Sequence, residues 1–261
     1  MGHFPGANAA VAWLQAHDRS DEVAGNAFLL SRNLACTCAH VVRDHLGIKE
    51  HPSKDIPDSP IKLRFEALST DAVAYVAGSG WWPEDCGGEI NDLAILKLDS
   101  PIDETEFAGL AVSAPRPQEN CYIYGVESGY QSIGQTVFAQ LAANPGARGW
   151  RQLNARPGQE RGYFIRKGFS GSPVFDDLGN TIWGMVVAVE TEADKYVGYA
   201  LTAEDLRKAT KTVVSSTGEE ASKLSYPSDR VSDFLDNLGR DALAALLPEI
   251  ERRLRPDSSL P

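Results

Sequence analysis

The sequence predicts an all-β fold over about the first 200 residues of the chain, followed by helices. Twelve short runs rich in β-branched and aromatic residues predict strands, and Gly, Pro, Asn and Asp separate them. These runs span residues 10–15, 26–31, 34–42, 61–68, 72–78, 93–98, 121–126, 135–142, 162–167, 172–177, 181–190 and 195–202. So many short strands indicate a β-sandwich or a pair of β-barrels. The sequence Asp176 to Gly179, "DDLG", predicts a hairpin turn.

The pattern changes near residue 202. Thr202 is placed to cap a helix whose apolar positions continue from Leu206. We assign residues 1–213 to the β domain with this helix, the polar residues 214–228 to a linker, and residues 229–261 to a short helical tail. Apolar residues recur in the tail at helical spacing, at Val231, Phe234, Leu235, Leu238, Leu243, Leu246, Leu247, Ile250 and Leu254. This apolar stripe either packs on the β domain or serves as a docking or regulatory element for a protein partner.

Composition excludes several classes of function. The formal net charge of -11 argues against a nucleic-acid partner, because phosphate binding needs clustered Lys and Arg. Apolar runs are too short to span a membrane, and the N-terminus has no basic segment followed by an apolar run, so we expect a cytoplasmic protein. The four cysteines, Cys36, Cys38, Cys86 and Cys121, have no zinc-like spacing and no redox pair. We therefore expect neither a metal nor an organic cofactor.

Three motifs carry candidate chemistry. "TCAHVV" places His40 after an apolar run, "NDLAILKL" places Asp92 before another, and "GFSGSP" places Ser170 between glycines. A serine nucleophile needs a base, a group that orients the base, and N–H donors for the oxyanion. All five histidines precede Ser170, whereas an α/β-hydrolase has its histidine after the serine. This leaves a β-rich protein in which the candidate catalytic residues follow along the chain in the order His, Asp, Ser.

With these motifs, residues 9–213 resemble the chymotrypsin and trypsin-like serine peptidases. The resemblance implies two antiparallel six-stranded β-barrels with the site in the cleft between them. It also implies that Ser170 is the nucleophile, His40 the general base and Asp92 the residue that orients His40. The backbone N–H groups of Gly168 and Ser170 would form the oxyanion hole.

The resemblance also places a substrate pocket. Its floor falls near Phe164 and Ile165, and its walls near Val187, Val189 and Gly198, with Lys167 beside the oxyanion loop. Because no carboxylate stands at the floor, we expect a preference for small or apolar side chains over Lys or Arg.

Two departures from the secreted relatives concern activation. Val41 follows the histidine where those relatives carry a disulfide cysteine, and Phe169 stands where they carry the aspartate that pairs with a freed N-terminus. Activation by that ion pair is therefore not expected.

The sequence thus predicts a serine endopeptidase that forms an acyl-enzyme on Ser170 and acts on protein or peptide substrates. We expect it to be regulated by a partner within an intracellular, bacterial signalling or antiviral system. The alternatives are a catalytically silent, peptidase-like binding or adaptor module, and an esterase or acyltransferase with the same triad.

Overall fold

The first barrel closes from six antiparallel strands. A computed structural model describes residues 7–49, 54–84, 87, 89–102, 108–127, 134–145, 149–156, 164–189 and 197–217. The strands are β1 (Val11–Ala16), β2 (Arg19–Leu29), β3 (Leu34–Thr37), β4 (Ile61–Phe65), β5 (Thr70–Trp82) and β6 (Leu93–Leu98). Neighbours around the ring run β1-β2-β3-β6-β5-β4, and β4 pairs back onto β1. Because the ring of strands is closed, this barrel has no unpaired edge strand.

The second barrel repeats this connectivity. Its strands are β8 (Asn120–Gly125), β9 (Gln135–Pro145), β10 (Arg151–Ala155), β11 (Pro173–Asp176), β12 (Thr181–Val189) and β13 (Val197–Thr202), and the short β7 (Gly109–Leu110) precedes them. The ring runs β8-β9-β10-β13-β12-β11 and closes where β11 pairs with β8, while β7 adds to β12 in parallel. The predicted pair of six-stranded antiparallel barrels is confirmed.

Within the described residues, two α-helices accompany the barrels. Helix α1 (Ala39–Leu46) follows β3 directly, and α2 (Ala203–Thr217) follows β13. The predicted cap of α2 is present, because the Thr202 hydroxyl accepts the Asp205 N–H at 3.2 Å while the Asp205 carboxylate accepts the Thr202 N–H at 3.1 Å. Single turns of 3-10 helix lie at Ala7–Ala10 and Glu66–Leu68.

The strand predictions fail in two places. The run 34–42 continues as a strand only to Thr37, because α1 begins at Ala39 and buries Val41 and Val42 on its inner face. Of the run 162–167, the described residues Phe164–Lys167 form turns and irregular chain. Strand β10 is formed instead by "RQLNA", in which only Leu153 is fully buried. Because this segment is mostly polar, its composition does not predict a strand. The predicted hairpin turn is present, with Gly179 at φ +76° and its N–H donating to Asp176 O at 3.0 Å.

Helix α2 ties the end of the second barrel to the first. Its buried residues Leu206, Ala209 and Val213 belong to the same core cluster as the interior of the first barrel, and the helix packs mainly on β5. The helix runs through 214–217, the first residues of the predicted linker. The rest of the linker and the tail 229–261 lie outside the described residues, as does Cys86, and their assignments stay predictions. No helix in the described ranges is long and apolar enough to span a membrane.

A matched pair of glycines tests the packing of the second barrel. A Cβ on Gly184 in β12 would lie 2.1 Å from Leu201 O, whereas a Cβ on Gly78 in β5 would meet nothing within 4 Å. We expect Gly184→Ala to lower the free energy of unfolding by about 3 kcal/mol or more, because a backbone carbonyl has to move. We expect Gly78→Ala to change it by less than about 1 kcal/mol in either direction. Denaturant unfolding of both variants measures this, and equal effects would contradict the packing described here.

Candidate active site

His40 lies at the start of α1, and the Asp92 carboxylate holds it at two points. The His40 backbone N–H donates to Asp92 Oδ1 at 3.0 Å, and His40 Nδ1 lies 2.7 Å from Asp92 Oδ2. The N-cap residue Cys38 makes no side-chain cap, so Asp92 satisfies a first-turn N–H that α1 itself leaves unpaired. One carboxylate therefore caps the helix and fixes the imidazole, leaving Nε2 as the ring nitrogen available for proton transfer.

Asp92 is held in an unusual backbone conformation. It has φ +59°, lies directly before β6, and is 1% exposed. Aspartate tolerates the left-handed region better than most residues, yet such a conformation costs about 1–3 kcal/mol and persists only where the surroundings enforce it. The turn thus points a buried negative charge at the positive end of α1 and at the imidazole.

The surroundings of His40 stabilise its protonated form. Burial by itself lowers the pKa of His40, but the charge and hydrogen bond of Asp92, with a smaller contribution from Glu84, outweigh burial and raise the pKa above its ordinary value. Glu84 Oε1 lies 3.9 Å from His40 Nδ1, and the other Glu84 oxygen pairs with Arg43. The imidazole of His40 is therefore more basic than that of a free histidine side chain.

The loop that carries Ser170 packs against the segment around His40. The carbonyl oxygen of Val186 accepts both the Cys38 thiol, at 3.3 Å, and the Gly171 N–H, at 2.8 Å. Cys38 precedes His40 by two residues and Gly171 follows Ser170, so one carbonyl joins the two candidate catalytic segments. Ser170 itself is half-buried. Within the described residues no hydrogen bond joins its Oγ to His40 Nε2, a contact that in substrate-free enzymes often forms only when substrate binds.

The turn before Ser170 presents two unpaired N–H groups. Phe169 N–H donates to Arg166 O at 3.1 Å, and Gly168, the third residue of that turn, has φ +102°, which makes it a type II turn. The N–H groups of Phe169, Gly171 and Ser172 each donate to a backbone carbonyl. Those of Gly168 and Ser170 have no partner among the residues that the structure describes. Two free donors so close together suit a developing oxyanion.

The predicted pocket residues fall into two groups. Ile165 packs against Gly198, because a Cβ on Gly198 would lie 2.6 Å from Ile165 Cδ1, and Val189 pairs with Gly198 across β12 and β13. Phe164 is buried in the same core cluster as Ile165.

The other two pocket residues lie apart from these. The side chain of Val187 is buried in the core cluster that includes the interior of the first barrel, away from Ile165, and Lys167 is exposed. Arg166 lies 3.6 Å from the buried carboxylate of Glu127. The structure thus brings Ile165, Val189 and Gly198 together and leaves Lys167 on the surface.

Two residues of the site belong to no recognisable sequence motif. Asn26 on β2 is fully buried and contacts the Ser170 loop, and Glu84 lies beside His40. The one signal for Asn26 is a polar residue within the strand-like run "NAFLLS". Glu84 lies in a turn outside any periodic run, so its position depends on tertiary structure.

The described residues contain one grouping of metal-ligating side chains, and it is this same site. The ligand atoms of Cys38, His40 and Asp92 lie within 4.8 Å of one another. Burial, reinforced by the Asp92 charge, raises the pKa of the Cys38 thiol, and the thiol donates to Val186 O. A protonated thiol is a poor metal ligand, and Asp92 is already engaged by His40. The chemistry of the set favours proton transfer over metal binding.

Comparison with known proteins gives a family and a fold. A family model described as a trypsin-like peptidase domain matches residues 25–185, which is more than half of the chain and includes His40, Asp92 and Ser170. No curated protein matches the chain at a significant level.

Solved structures of proteases share the fold at low identity. The chain is similar to Rv3671c from M. tuberculosis H37Rv in an inactive form, at TM-score 0.53 and 16% identity over 80% of this chain and 88% of that one. It is similar to the HtrA-type protease AlgW with a tripeptide, at TM-score 0.58 and 17% identity over 80% of this chain and 61% of that one. A scabies mite inactivated protease paralogue, S-I1, matches at TM-score 0.58 and 13% identity over 82% and 97%. At these identities the likeness supports the fold alone.

The contacts of His40 predict how its pKa changes when its neighbours are substituted. We expect NMR titration of the wild type to give a His40 pKa above 6.5, and Asp92→Asn to lower it most, because burial then acts with little opposition. Glu84→Gln should lower it less. Because folding raises this pKa, the protonated pair adds stability that is complete below the unfolded-state pKa and is lost as pH rises through the folded value. An unchanged His40 pKa in Asp92→Asn would rule out the pairing.

Proposed function

Because the chain belongs to the trypsin-like peptidase family, we propose that it is a serine endopeptidase that hydrolyses peptide bonds through an acyl-enzyme on Ser170. The observation that carries the proposal is the pairing of His40 with the buried Asp92, with Nδ1 and Oδ2 2.7 Å apart, beside a loop whose Gly168 and Ser170 N–H groups have no partner among the described residues. Each part that acyl transfer needs is then supplied by a separate element of the fold: α1, the turn before β6, and the loop before β11.

The proposed mechanism uses these groups in turn. Ser170 Oγ attacks the substrate carbonyl carbon while His40 Nε2 takes the hydroxyl proton, and Asp92 stabilises the resulting imidazolium. The negative charge on the former carbonyl oxygen is bound by the Gly168 and Ser170 N–H groups. His40 then protonates the leaving amine, and the C–N bond breaks to give the acyl-enzyme. His40 takes a proton from water, which attacks the ester carbonyl carbon; the C–Oγ bond then breaks, His40 returns the proton to Ser170 Oγ, and the carboxylic acid product leaves.

A small, apolar primary pocket fits this structure. Ile165 occupies the space beside Gly198, so the region where a substrate side chain would enter has an aliphatic wall. Ile165 and Phe164, the floor residues by motif spacing, are both apolar and buried. We propose that the enzyme cleaves after small apolar residues such as Ala or Val.

Regulation and location are further parts of the proposal. We place the enzyme in the cytoplasm, in a signalling or antiviral system, with a protein partner that binds the tail 229–261. Phe169 supports regulation without proteolytic activation, because its side chain is 1% exposed in the core of the second barrel and cannot form an ion pair there.

A second candidate function is a silent module that binds peptides without cutting them, since one of the solved structures with the same fold is an inactivated protease paralogue. A protein that binds peptide and neither turns it over nor reacts with an active-serine probe would favour this silent binding module.

The labelling prediction separates the two candidates. We expect the wild type to react covalently with a fluorophosphonate probe, and Ser170→Ala and His40→Ala to lose labelling and peptide hydrolysis by at least about 10³-fold. Ser172→Ala is the matched control, since Ser172 is fully buried two residues away and should label normally. Labelling and hydrolysis that survive in Ser170→Ala would exclude the assignment of the nucleophile.

The pocket prediction concerns Ile165. We expect Ile165→Ala to shift the preference in kcat/KM from substrates with Ala at the cleaved bond toward those with Leu or Phe, by about 10- to 100-fold, because space opens beside Gly198. Profiling with a peptide library measures the shift. Val174→Ala, which also removes methyl groups from the core cluster that contains Ile165, is the control for a general loosening of the packing. The pocket assignment fails if both variants change the preference equally.

A further inference from the structure

The side chain of Asn26 joins the two barrels and the Ser170 loop. Asn26 lies on β2 in the first barrel and is fully buried. Its Nδ2 donates to Val126 O at 3.1 Å and to Gly168 O at 2.7 Å, and its Oδ1 accepts the Val126 N–H at 2.8 Å. Val126 follows β8 of the second barrel. The amide therefore pairs with Val126 as a neighbouring strand would, and its second N–H reaches the turn before Ser170.

The partners leave one orientation for this amide. Val126 N–H needs an acceptor, and the carbonyls of Val126 and Gly168 need donors. Only an amide with oxygen toward the N–H and nitrogen toward both carbonyls satisfies all three. A carboxylate of the same shape would set an oxygen against two carbonyl oxygens in a buried place, which is strongly unfavourable.

The backbone of Asn26 holds the same loop. Its N–H donates to Ser170 O at 2.7 Å, and its carbonyl accepts the Thr37 hydroxyl at 2.5 Å. The carbonyls of Gly168 and Ser170 thus both bind Asn26, while the N–H groups of the same two residues have no partner within the described residues. With the Gly168 carbonyl fixed, the direction of the Gly168 N–H depends on the backbone angles of this one residue, of which φ is +102°.

We infer that Asn26 is a positioning residue that sets the oxyanion hole by holding the Gly168 and Ser170 carbonyls toward the first barrel. This inference rests on the proposed function. Asn26 touches neither substrate nor the reacting atoms; it acts through the turn. Close packing makes the constraint stiff, because a Cβ on Gly171 would lie 1.8 Å from Asn26 O and one on Gly125 would lie 3.1 Å from Asn26 Nδ2.

The test compares Asn26→Asp and Asn26→Ala with a remote core variant. Asn26→Asp keeps the shape and the acceptor for Val126 N–H but replaces the donor to Gly168 O. We expect both variants to lower kcat by about 100-fold, the effect of losing one oxyanion donor, with a much smaller change in KM. Leu63→Ala, in the core of the first barrel, should lower the melting temperature and leave kcat unchanged where all variants are folded. A kcat of Asn26→Asp within twofold of wild type would overturn the inference, as would an equal loss in Leu63→Ala.

A second measurement does not depend on activity. Crystal structures of the wild type and Asn26→Asp should show the Gly168 peptide rotated in the variant, with its φ no longer near +102°. An unchanged turn overturns the inference even if the protein has no peptidase activity. Conversely, a wild type that neither labels nor hydrolyses peptide, together with a rotated turn in the variant, would refute the proposed function and keep the role of Asn26 in shaping the loop.

Discussion

The site depends on the close approach of two main chains, β2 of the first barrel and the Ser170 loop of the second. Asn26 N–H donates to Ser170 O at 2.7 Å, and the contact is so tight that a Cβ on Gly25 would lie 2.7 Å from Ser170 O. Gly171 faces the same strand with no room for a side chain. Glycine is therefore required on both sides of this contact between β2 and the Ser170 loop, because backbone can approach backbone this closely only without a Cβ. This contact positions Ser170, the proposed nucleophile, so its position follows from how the barrels pack.

The charge of the site is organised separately, around Asp92. A buried carboxylate is costly unless hydrogen bonds and a nearby positive dipole compensate for lost hydration. Here the α1 N-terminus and the His40 ring supply both, and the left-handed turn at Asp92 directs the carboxylate at them. The first barrel thus carries the proposed base with its orienting acid. The second barrel carries the proposed nucleophile and the N–H donors, so the proposed catalysis needs the two barrels in register.

Sequence patterns predicted the parts of this structure that are local. Short runs bounded by turn residues predicted an all-β sandwich or pair of barrels, and the resemblance carried by three motifs in order decided for two barrels and located His40, Asp92 and the loop of Ser170. Strand β10 was missed because its pairing, and not its composition, makes it a strand. Asn26 and Glu84 were missed because their roles arise from contacts made 142 and 44 positions away, at Gly168 and His40. A single sequence carries no periodicity or motif for such contacts.

Phe169 changes what holds the nucleophile loop in place. An aspartate at this position would hold the loop through an ion pair, which weakens with salt and with protonation of the carboxylate. A buried aromatic ring instead stabilises by about 1.5–3 kcal/mol through the hydrophobic effect, with no dependence on either. A Cβ on Gly125, the last residue of β8, would lie 3.1 Å from Phe169 Cδ1. The next residue, Val126, pairs with Asn26. The ring and the amide therefore fix the turn from opposite barrels. A regulator of the proposed enzyme would have to act on that packing or on access to the cleft, since Phe169 carries no charge that could be switched.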